Sequence, residues 1–353
     1  MNNPKIINCE QALRHLFEFL DRELEGDLQT QMQQHMEHCR SCFSRLEFEQ
    51  TLKTHIRKTG AESAPDSLRD RISSLLQDFE RKAQGNNTHM VAITSMAKEH
   101  ILEAVQLMYA DVANNPGKAF HFPTGRDTCI FLGYPATLLD ALPATALESF
   151  AGVGYPFAAN GINPGDIVLD IGSGSGTDTL IAARLTGSQG KVYGLDMTRA
   201  MREKLARNIE AMGINHAEVL AGTAEKIPLP DASVDVITSN GVINLVPDKP
   251  GAILEMFRVL RPGGRVQLSD IVIGANEETL TKARDNPRLW AECIVGAVTE
   301  PAYFAMFTAA GFDHPNTLNT FDYFSKSKVK ETRDFASSFQ AHGILLTTRK
   351  PAG

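Results

Sequence analysis

A glycine-rich turn follows an apolar, β-branched run in the stretch GDIVLDIGSGSGTD, residues 165–178. In an open parallel sheet, ligands bind beyond the carboxyl ends of the strands, and glycines in the first turn let the backbone approach a cofactor closely. Gly172, Gly174 and Gly176 alternate there, but a dinucleotide fingerprint would require glycine at 177, which is Thr177. The pattern predicts a turn that binds an adenosine cofactor other than NAD; a tight turn without ligand is the competing interpretation.

An acidic residue ends the next predicted strand, VYGLDM. Asp196 can accept hydrogen bonds from both hydroxyls of a ribose, and Met197 beside it can offer an apolar surface to adenine. A carboxylate at this position favours free hydroxyls over a 2′-phosphate.

Three potential metal ligands near the N-terminus, His35, Cys39 and Cys42, have the spacing H-x3-C-x2-C. On a helix, these side chains share one face. Cys9, at the head of the preceding predicted helix, can complete the tetrahedral Cys3His set of structural Zn²⁺ sites. His38 is an alternative to His35 with poorer spacing, and polar residues without a metal are the other interpretation.

The composition narrows the classes of function. The 353 residues carry a net charge of −7, which gives no basic surface for nucleic acid. No apolar run approaches the roughly 20 residues that a membrane helix needs, and the first residues lack the layout of a signal peptide, so we expect a cytoplasmic protein without membrane contact. Five cysteines in a chain of this length do not suggest a disulfide framework.

Strand and helix patterns alternate after residue 165, which predicts an α/β fold with a parallel sheet and helices on both faces. Residues 8–58 show helical periodicity and end in linker-like sequence, which predicts a small all-α unit. The expected segments are a helical zinc-binding domain over 1–85, a helical and irregular substrate cover over 90–150, a cofactor-binding core over 151–275, and a C-terminal part over 276–353 that completes the sheet and the substrate side.

The core resembles the class I S-adenosylmethionine-dependent methyltransferases, which have a Rossmann-like sheet. The similar motifs are VLDIGSGSG, GLDM, GTAEKIPLPDASVDVITSNGV and RVLRPGGRV, in the family's order. The resemblance implies that S-adenosylmethionine is the cofactor, that Asp170 and the glycines surround its amino acid part, and that Asp196 holds its ribose. It places Thr223 and Ala224 at the adenine edge, although many relatives have aspartate at position 223.

A sulfonium is already activated, so the protein must align a nucleophile behind the methyl carbon and exclude water. Oxygen and nitrogen nucleophiles usually require a base, and no His–Asp pair stands out at the predicted strand ends. This favours a soft acceptor, such as sulfur, selenium or trivalent arsenic, over an organic one. Asn240 and Asn244, after the fourth predicted strand, are expected either to line the methyl-transfer site or to cap a loop.

A closer resemblance, to the arsenite methyltransferases, is carried by TSNGVINLVPDKPGAILEMFRVLRPGGRVQLSDIVI and LWAECIVGAV. Those enzymes hold trivalent arsenic on cysteine thiolates, and Cys293 matches one of them. Gly241 and Val153 stand where relatives have cysteine, and Cys129 is the remaining candidate for a second thiol. A buried, unreactive side chain is the alternative for Cys293. His121 and Arg126 could bind an anionic group or lie in a solvated loop.

The segment LFEFLDREL with the cysteines after it resembles the zinc-binding anti-sigma domain, and this resemblance implies a possible protein partner. We therefore expect an enzyme that methylates a small molecule, with Zn²⁺ in its N-terminal domain. The alternative is a zinc-dependent regulator that binds a sigma factor or another helix, with a large domain that only senses the cofactor.

Overall fold

The computed structural model describes residues 26–38, 95–274, 294–327 and 329–352, together with Ala12, Phe19 and Leu24. Contacts between Cα atoms divide the chain into two compact units, residues 1–90 and 91–353. Among the described residues, no helix has both the length and the apolar character needed to cross a bilayer.

The first unit contains helix α1, Gly26–His38, where a helix is predicted. Met32, His35 and Met36 are buried, and their i, i+3, i+4 spacing places them on one face. His35, one of the predicted metal ligands, is therefore shielded from solvent.

The second unit begins with a helical cover that precedes the sheet. Its helices are α2, Ser95–Asn114; α3, Arg126–Phe131; α4, Ala136–Leu139; α5, Ala144–Leu147; and a 3-10 helix, Pro156–Ala159. Side chains of this cover, including Val105, Leu147 and Phe150, share one hydrophobic core with Val168 and Ile181 of the sheet layer.

An eight-stranded sheet forms the centre of the second unit. Its strands are β1, Ile167–Ile171; β2, Lys191–Asp196; β3, Ala217–Ala221; β4, Val234–Asn240; β5, Leu260–Ile273; β6, Val298–Thr299; β7, Asp313–Phe321; and β8, His342–Arg349. The spatial order is β3-β2-β1-β4-β5-β8-β7, with β6 beside β5. Strands β1 to β5 are parallel, as predicted, whereas β8 pairs antiparallel with β5 and β7.

Five longer helices cover the sheet: α6, Thr177–Thr186; α7, Arg199–Ala211; α8, Lys249–Val259; α9, Glu300–Ala309; and α10, Lys330–Ser338. Two short 3-10 helices lie at Ile243–Leu245 and Phe324–Lys326. Neighbouring residues of β1 enter different cores, with Val168 in the one shared with α6 and Leu169 in the one shared with α8. This alternation follows from the two-residue period of a strand that is buried on both faces.

Candidate functional site

A cavity of about 1020 Å³, including the open solvent at its mouth, lies at the carboxyl ends of β1, β2 and β4. This edge is where parallel sheets bind ligands. The predicted cofactor residues that line it are Asp170, Gly172, Gly174, Asp196, Met197, Thr223, Ala224 and Asn240, whereas Gly176 is not among its described lining residues. Helix α2 contributes Leu102, Val105 and Tyr109 from the cover.

The glycine turn takes backbone conformations that side chains disfavour. The φ angles of Gly172, Gly174 and Gly176 are 71°, 53° and 105°. The amide of Gly172 donates to the Leu195 carbonyl at 2.8 Å, which fixes the turn against β2. A Cβ at Gly172 would collide with Val242, and one at Gly176 would collide with Leu205, so both glycines are required by packing as well as by φ.

Gly174 differs, because the nearest atom to a Cβ there is the Met201 sulfur at 4.0 Å, and this space belongs to the cavity. We expect Gly174→Ala to lower the free energy of unfolding by about 1 kcal/mol, from the left-handed φ alone, and to weaken cofactor binding at least about tenfold. Gly172→Ala should lower it by roughly 2–5 kcal/mol, because a core clash is added to the strain. Urea unfolding and calorimetry with S-adenosylmethionine measure the two effects. Equal stability losses in the two variants would contradict the assignment.

Backbone amides hold both carboxylate oxygens of Asp196 in position. One oxygen accepts from the amide of Gly174 at 2.9 Å and the other from that of Thr198 at 2.7 Å. Burial raises the pKa of Asp196, and these two amide hydrogen bonds act in the opposite direction. The remaining lone pairs can accept from two ligand hydroxyls.

The part of the cavity wall that is predicted to contact adenine is connected to the cover. Glu225, next to Ala224 in the cavity wall, forms an ion pair with Lys98 of α2 at 2.9 Å and accepts the amide of Asp248 at 2.9 Å. Gln106 of α2 also donates to the Met197 carbonyl at 3.5 Å. These contacts connect α2 to the ends of β2 and β3.

The donors and acceptors of the cavity fit a cofactor with a positive centre. Carboxylates of Asp170, Asp178, Asp196 and Glu225 line it, and among its described lining residues there is no Lys, Arg or His. Ser173 adds a buried hydroxyl without a hydrogen-bond partner, and a bound ligand would satisfy it at a site where an unmet hydrogen bond is costly. S-adenosylmethionine carries a sulfonium, an ammonium and two ribose hydroxyls, and the residues therefore fit it.

A hydrogen-bond network joins Asn240 to the cover. Its side-chain oxygen accepts the amides of Val153 at 2.7 Å and Gly154 at 3.2 Å. Its Nδ2 donates to Asp178 at 2.9 Å and to the Tyr134 hydroxyl at 3.0 Å. The Tyr134 hydroxyl in turn donates to Asp178 at 2.6 Å.

Two carboxylates are buried at the bottom of this network. Burial, and then the charge of Asp178, raise the pKa of Asp170 well above its usual range, while Thr179 donates to Asp170 at 2.6 Å. Burial raises the pKa of Asp178 to about 6, against the opposing hydrogen bonds from Tyr134 and Asn240. Neither Asp178 nor Ser173 is among the sequence-predicted site residues; their place inside the glycine stretch is the only sequence feature that points to them.

Asn244 lies in a second network, outside the described lining of the cavity. Its amide and side chain donate to Asp270, which also accepts from the Tyr303 hydroxyl at 2.8 Å. The backbone carbonyl of Asn244 accepts from Lys249 at 3.0 Å. The geometry gives Asn244 a structural role, and its part in methyl transfer stays a prediction.

Of the two predicted thiols only Cys129 is described, and it is not among the described lining residues of the cavity. Cys129 is fully buried in the core beneath the cover, and burial raises the pKa of its thiol well above the usual range. Cys293 lies outside the described residues. Arg126 forms an ion pair with Asp140 at 2.5 Å, and neither it nor His121 is among the described residues of the cavity wall.

The two positions where relatives carry cysteine are in contact. A Cβ at Gly241 would lie 3.1 Å from a methyl carbon of Val153 and 3.7 Å from the Ala151 carbonyl. Gly241 itself has φ 73° and lines the cavity, whereas Val153 is 1% exposed. The side chains at this corner are therefore apolar, and no local sequence pattern indicates that Gly241 and Val153 are neighbours.

Of the four predicted zinc ligands, only His35 is described; Cys9, Cys39 and Cys42 lie outside the described residues. His35 is buried. Within the part of the chain that the structure describes, no group of three or more His, Cys, Asp and Glu side chains is arranged to hold a metal.

Family models match two segments of the chain. A "Methyltransferase domain" model matches residues 162–336, and a "Putative zinc-finger" model matches residues 9–43. The second match contains all four predicted zinc ligands.

The chain is also similar to curated methyltransferases. It is 37% identical to the arsenite methyltransferase of Halobacterium salinarum over 52% of this chain and 46% of that protein. It is 32% identical to the ubiquinone/menaquinone biosynthesis C-methyltransferase UbiE of Cronobacter sakazakii over 47% of this chain and 73% of that protein. The chain spans between 37% and 64% of the length of the arsenite methyltransferases it matches.

Among solved structures, CrArsM, an arsenic(III) S-adenosylmethionine methyltransferase from Chlamydomonas reinhardtii, is 28% identical and has a TM-score of 0.47. The similarity covers 65% of this chain and 74% of that one.

Proposed function

Because this chain belongs to the class I S-adenosylmethionine-dependent methyltransferases, we propose that it methylates a small uncharged acceptor that is held without a thiolate cage. The observation that carries this proposal is the contact between Gly241 and Val153. A thiolate cage at this corner would require sulfur at positions that here present only hydrogen and methyl groups.

The charges of the cavity support an uncharged acceptor. No Lys, Arg or His stands among its described lining residues, so an anionic acceptor would lose its hydration without gaining a charged partner. Small neutral thiols and organic molecules are compatible with these walls. The methyltransferase relatives favour this enzyme over the regulatory alternative.

The chain's own residues would bind and orient the reactants. Asp196 would hold the ribose, Ser173 and the amides of the glycine turn the amino acid part, and Met197 and Ala224 the adenine. S-adenosylmethionine, when bound, supplies an activated methyl group. Tyr109 and Phe150 of the cover would keep water from the acceptor side, which strengthens the electrostatic interactions within the cavity.

A panel of acceptors tests the proposal through release of S-adenosylhomocysteine. We expect turnover with neutral thiols and small phenols, and at least about tenfold lower kcat/KM with selenite, which is an anion. Arsenite is the decisive comparison. Turnover of arsenite alone would overturn the proposal, and Asp196→Ala should abolish the signal in every arm.

We also propose that Cys9, His35, Cys39 and Cys42 bind one structural Zn²⁺. The family match over residues 9–43 and the burial of His35 support this site, and a domain of this size draws much of its stability from a bound metal. Purified protein should contain about one zinc per chain by elemental analysis, and Cys39→Ser should lose it. Cys129→Ala is the matched control and should retain the metal; zinc retained in both variants would exclude Cys39 as a ligand.

A further inference from the structure

We propose that Asp178 accepts the proton of the methyl acceptor, and hence that the natural acceptor is a weak acid such as an alkyl thiol or a phenol. This inference rests on the proposed methyl transfer and names the class of its acceptor. Sequence reasoning found no base at the strand ends; the structure places a carboxylate from the first turn of α6 in the cavity wall.

The position of Asp178 is fixed by hydrogen bonds from two other parts of the chain. The Tyr134 hydroxyl, in the segment between α3 and α4, donates to one carboxylate oxygen, and Asn240, at the end of β4, donates to the other. Both donors are neutral and leave the carboxylate its charge. A carboxylate held by neutral donors beside a cavity can still accept a proton through its remaining lone pairs.

The surroundings of Asp178 bring the pKa of its carboxyl group close to neutral pH. The titratable groups that face it are Tyr134 and Tyr155, Cys129 of α3 and Asp170 of β1, all uncharged or negative. Burial without a cationic partner raises the pKa of Asp178 to about 6. A base is most effective when its pKa is near the working pH, so Asp178 is ionised at pH 7 and still basic enough to take a proton.

The other three carboxylates of the described cavity wall have different hydrogen-bond or ion-pair partners. Asp196 is fixed by amides at the end of β2, and Glu225 is paired with Lys98. Asp170 is capped by Thr179, and Asp178 alone of the four carboxylates contacts Asn240. Asn240 also fixes Val153 and Gly154 beside the corner where the acceptor is proposed to bind.

The step balances in atoms and charge. The S–H or O–H bond of the acceptor breaks, and its proton goes to an oxygen of Asp178. An electron pair of the acceptor atom forms the new bond to the methyl carbon, and the pair of the broken carbon–sulfonium bond stays on sulfur. One positive and one negative charge are thereby neutralised together, which is favourable in a cavity of low dielectric constant. The proton leaves to solvent after the product.

The pH dependence of kcat/KM with benzyl mercaptan, whose thiol stays protonated at and below neutral pH, tests this role at saturating S-adenosylmethionine. Because only ionised Asp178 can accept a proton, the wild-type rate should fall as pH decreases, with a midpoint at or below about 6, since a nearby sulfonium favours the carboxylate. Asp178→Asn should lower kcat/KM about 100-fold or more and should lose this acid limb.

Asp270→Asn is the matched control. Asp270 is equally buried and also accepts from a tyrosine hydroxyl and an asparagine amide, but it is outside the described cavity wall. Its variant should keep the acid limb even where stability falls. Loss of the limb in both variants would overturn the proposal.

Tyr134→Phe is a second test of the proton-accepting role, and it leaves the carboxylate of Asp178 in place. The Tyr134 hydrogen bond lowers the pKa of Asp178, so its loss should shift the acid limb to higher pH, whereas Tyr303→Phe, which removes the equivalent bond to Asp270, should not shift it. In cofactor-free protein, infrared spectroscopy should show a carboxylic acid band that titrates near pH 6 and is absent from Asp178→Asn.

The outcomes separate the two proposals. If the wild-type enzyme turns over no acceptor of the panel, the proposed function fails. If it turns over thiols but the kcat/KM of Asp178→Asn stays within about threefold of wild type, the proton-accepting role fails. It also fails if Asp178→Asn keeps the acid limb and loses only affinity for S-adenosylmethionine in calorimetry. An unshifted limb in Tyr134→Phe also contradicts it.

Discussion

Replacing Asp196 by alanine is expected to weaken the binding of S-adenosylmethionine about 100-fold or more, as measured by calorimetry. Two hydrogen bonds from ligand hydroxyls to a charged acceptor would be lost, each contributing roughly 1.5–3 kcal/mol. The amides of Gly174 and Thr198 would lose their partner as well, so the glycine turn would no longer be fixed in its binding conformation.

Asp235→Ala is the control for this substitution. Asp235 of β4 also accepts a backbone amide, that of Ile167 at 2.9 Å, and pairs with Arg261 at 2.8 Å, but β1 begins at Ile167, so this contact lies at the opposite edge of the sheet from the cavity. The control should lose stability and keep its affinity. Unchanged affinity in Asp196→Ala would remove the basis of the cofactor site.

Replacing Asn240 by alanine should lower the free energy of unfolding by about 3–5 kcal/mol and turnover by about 100-fold. The buried amides of Val153 and Gly154 would lose their acceptor and Asp178 one of its donors, and each unmet buried group costs roughly 1–3 kcal/mol. Turnover should fall because the segment beside the acceptor would shift, and small displacements of positioning groups are sufficient to slow a reaction 100-fold. Urea unfolding and S-adenosylhomocysteine release measure the two effects.

Asn244→Ala distinguishes the two asparagines that the sequence proposes for methyl transfer. Its network with Asp270 is equally buried, so the stability loss should be similar, whereas turnover of the folded fraction should stay within about threefold. A 100-fold loss of turnover in Asn244→Ala would place this residue at the reaction after all.

Sequence reasoning selected residues that line the cavity at the ends of β1 and β2 because their features are local. A parallel strand followed by alternate glycines constrains a turn through φ angles and close approach, and Asp196 follows from the end of the next strand. The same reasoning predicted helical structure over residues 8–58, in which α1 lies, and the strand and helix alternation predicted the α/β sheet. It did not specify that β8 runs antiparallel between β5 and β7, since periodicity carries no information about which strand a segment joins.

The sequence by itself therefore determined the fold class and the cofactor turn, because both depend on residues that are close along the chain. Only the tertiary structure determined which residues are neighbours on the proposed acceptor side. It placed Gly241 against Val153, bound Tyr134 to Asp178 and Asn240, turned Asn244 toward Asp270 and enclosed Cys129 in the core. These contacts join segments that are distant along the chain, and their formation depends on how the cover packs on the sheet, which no local pattern encodes.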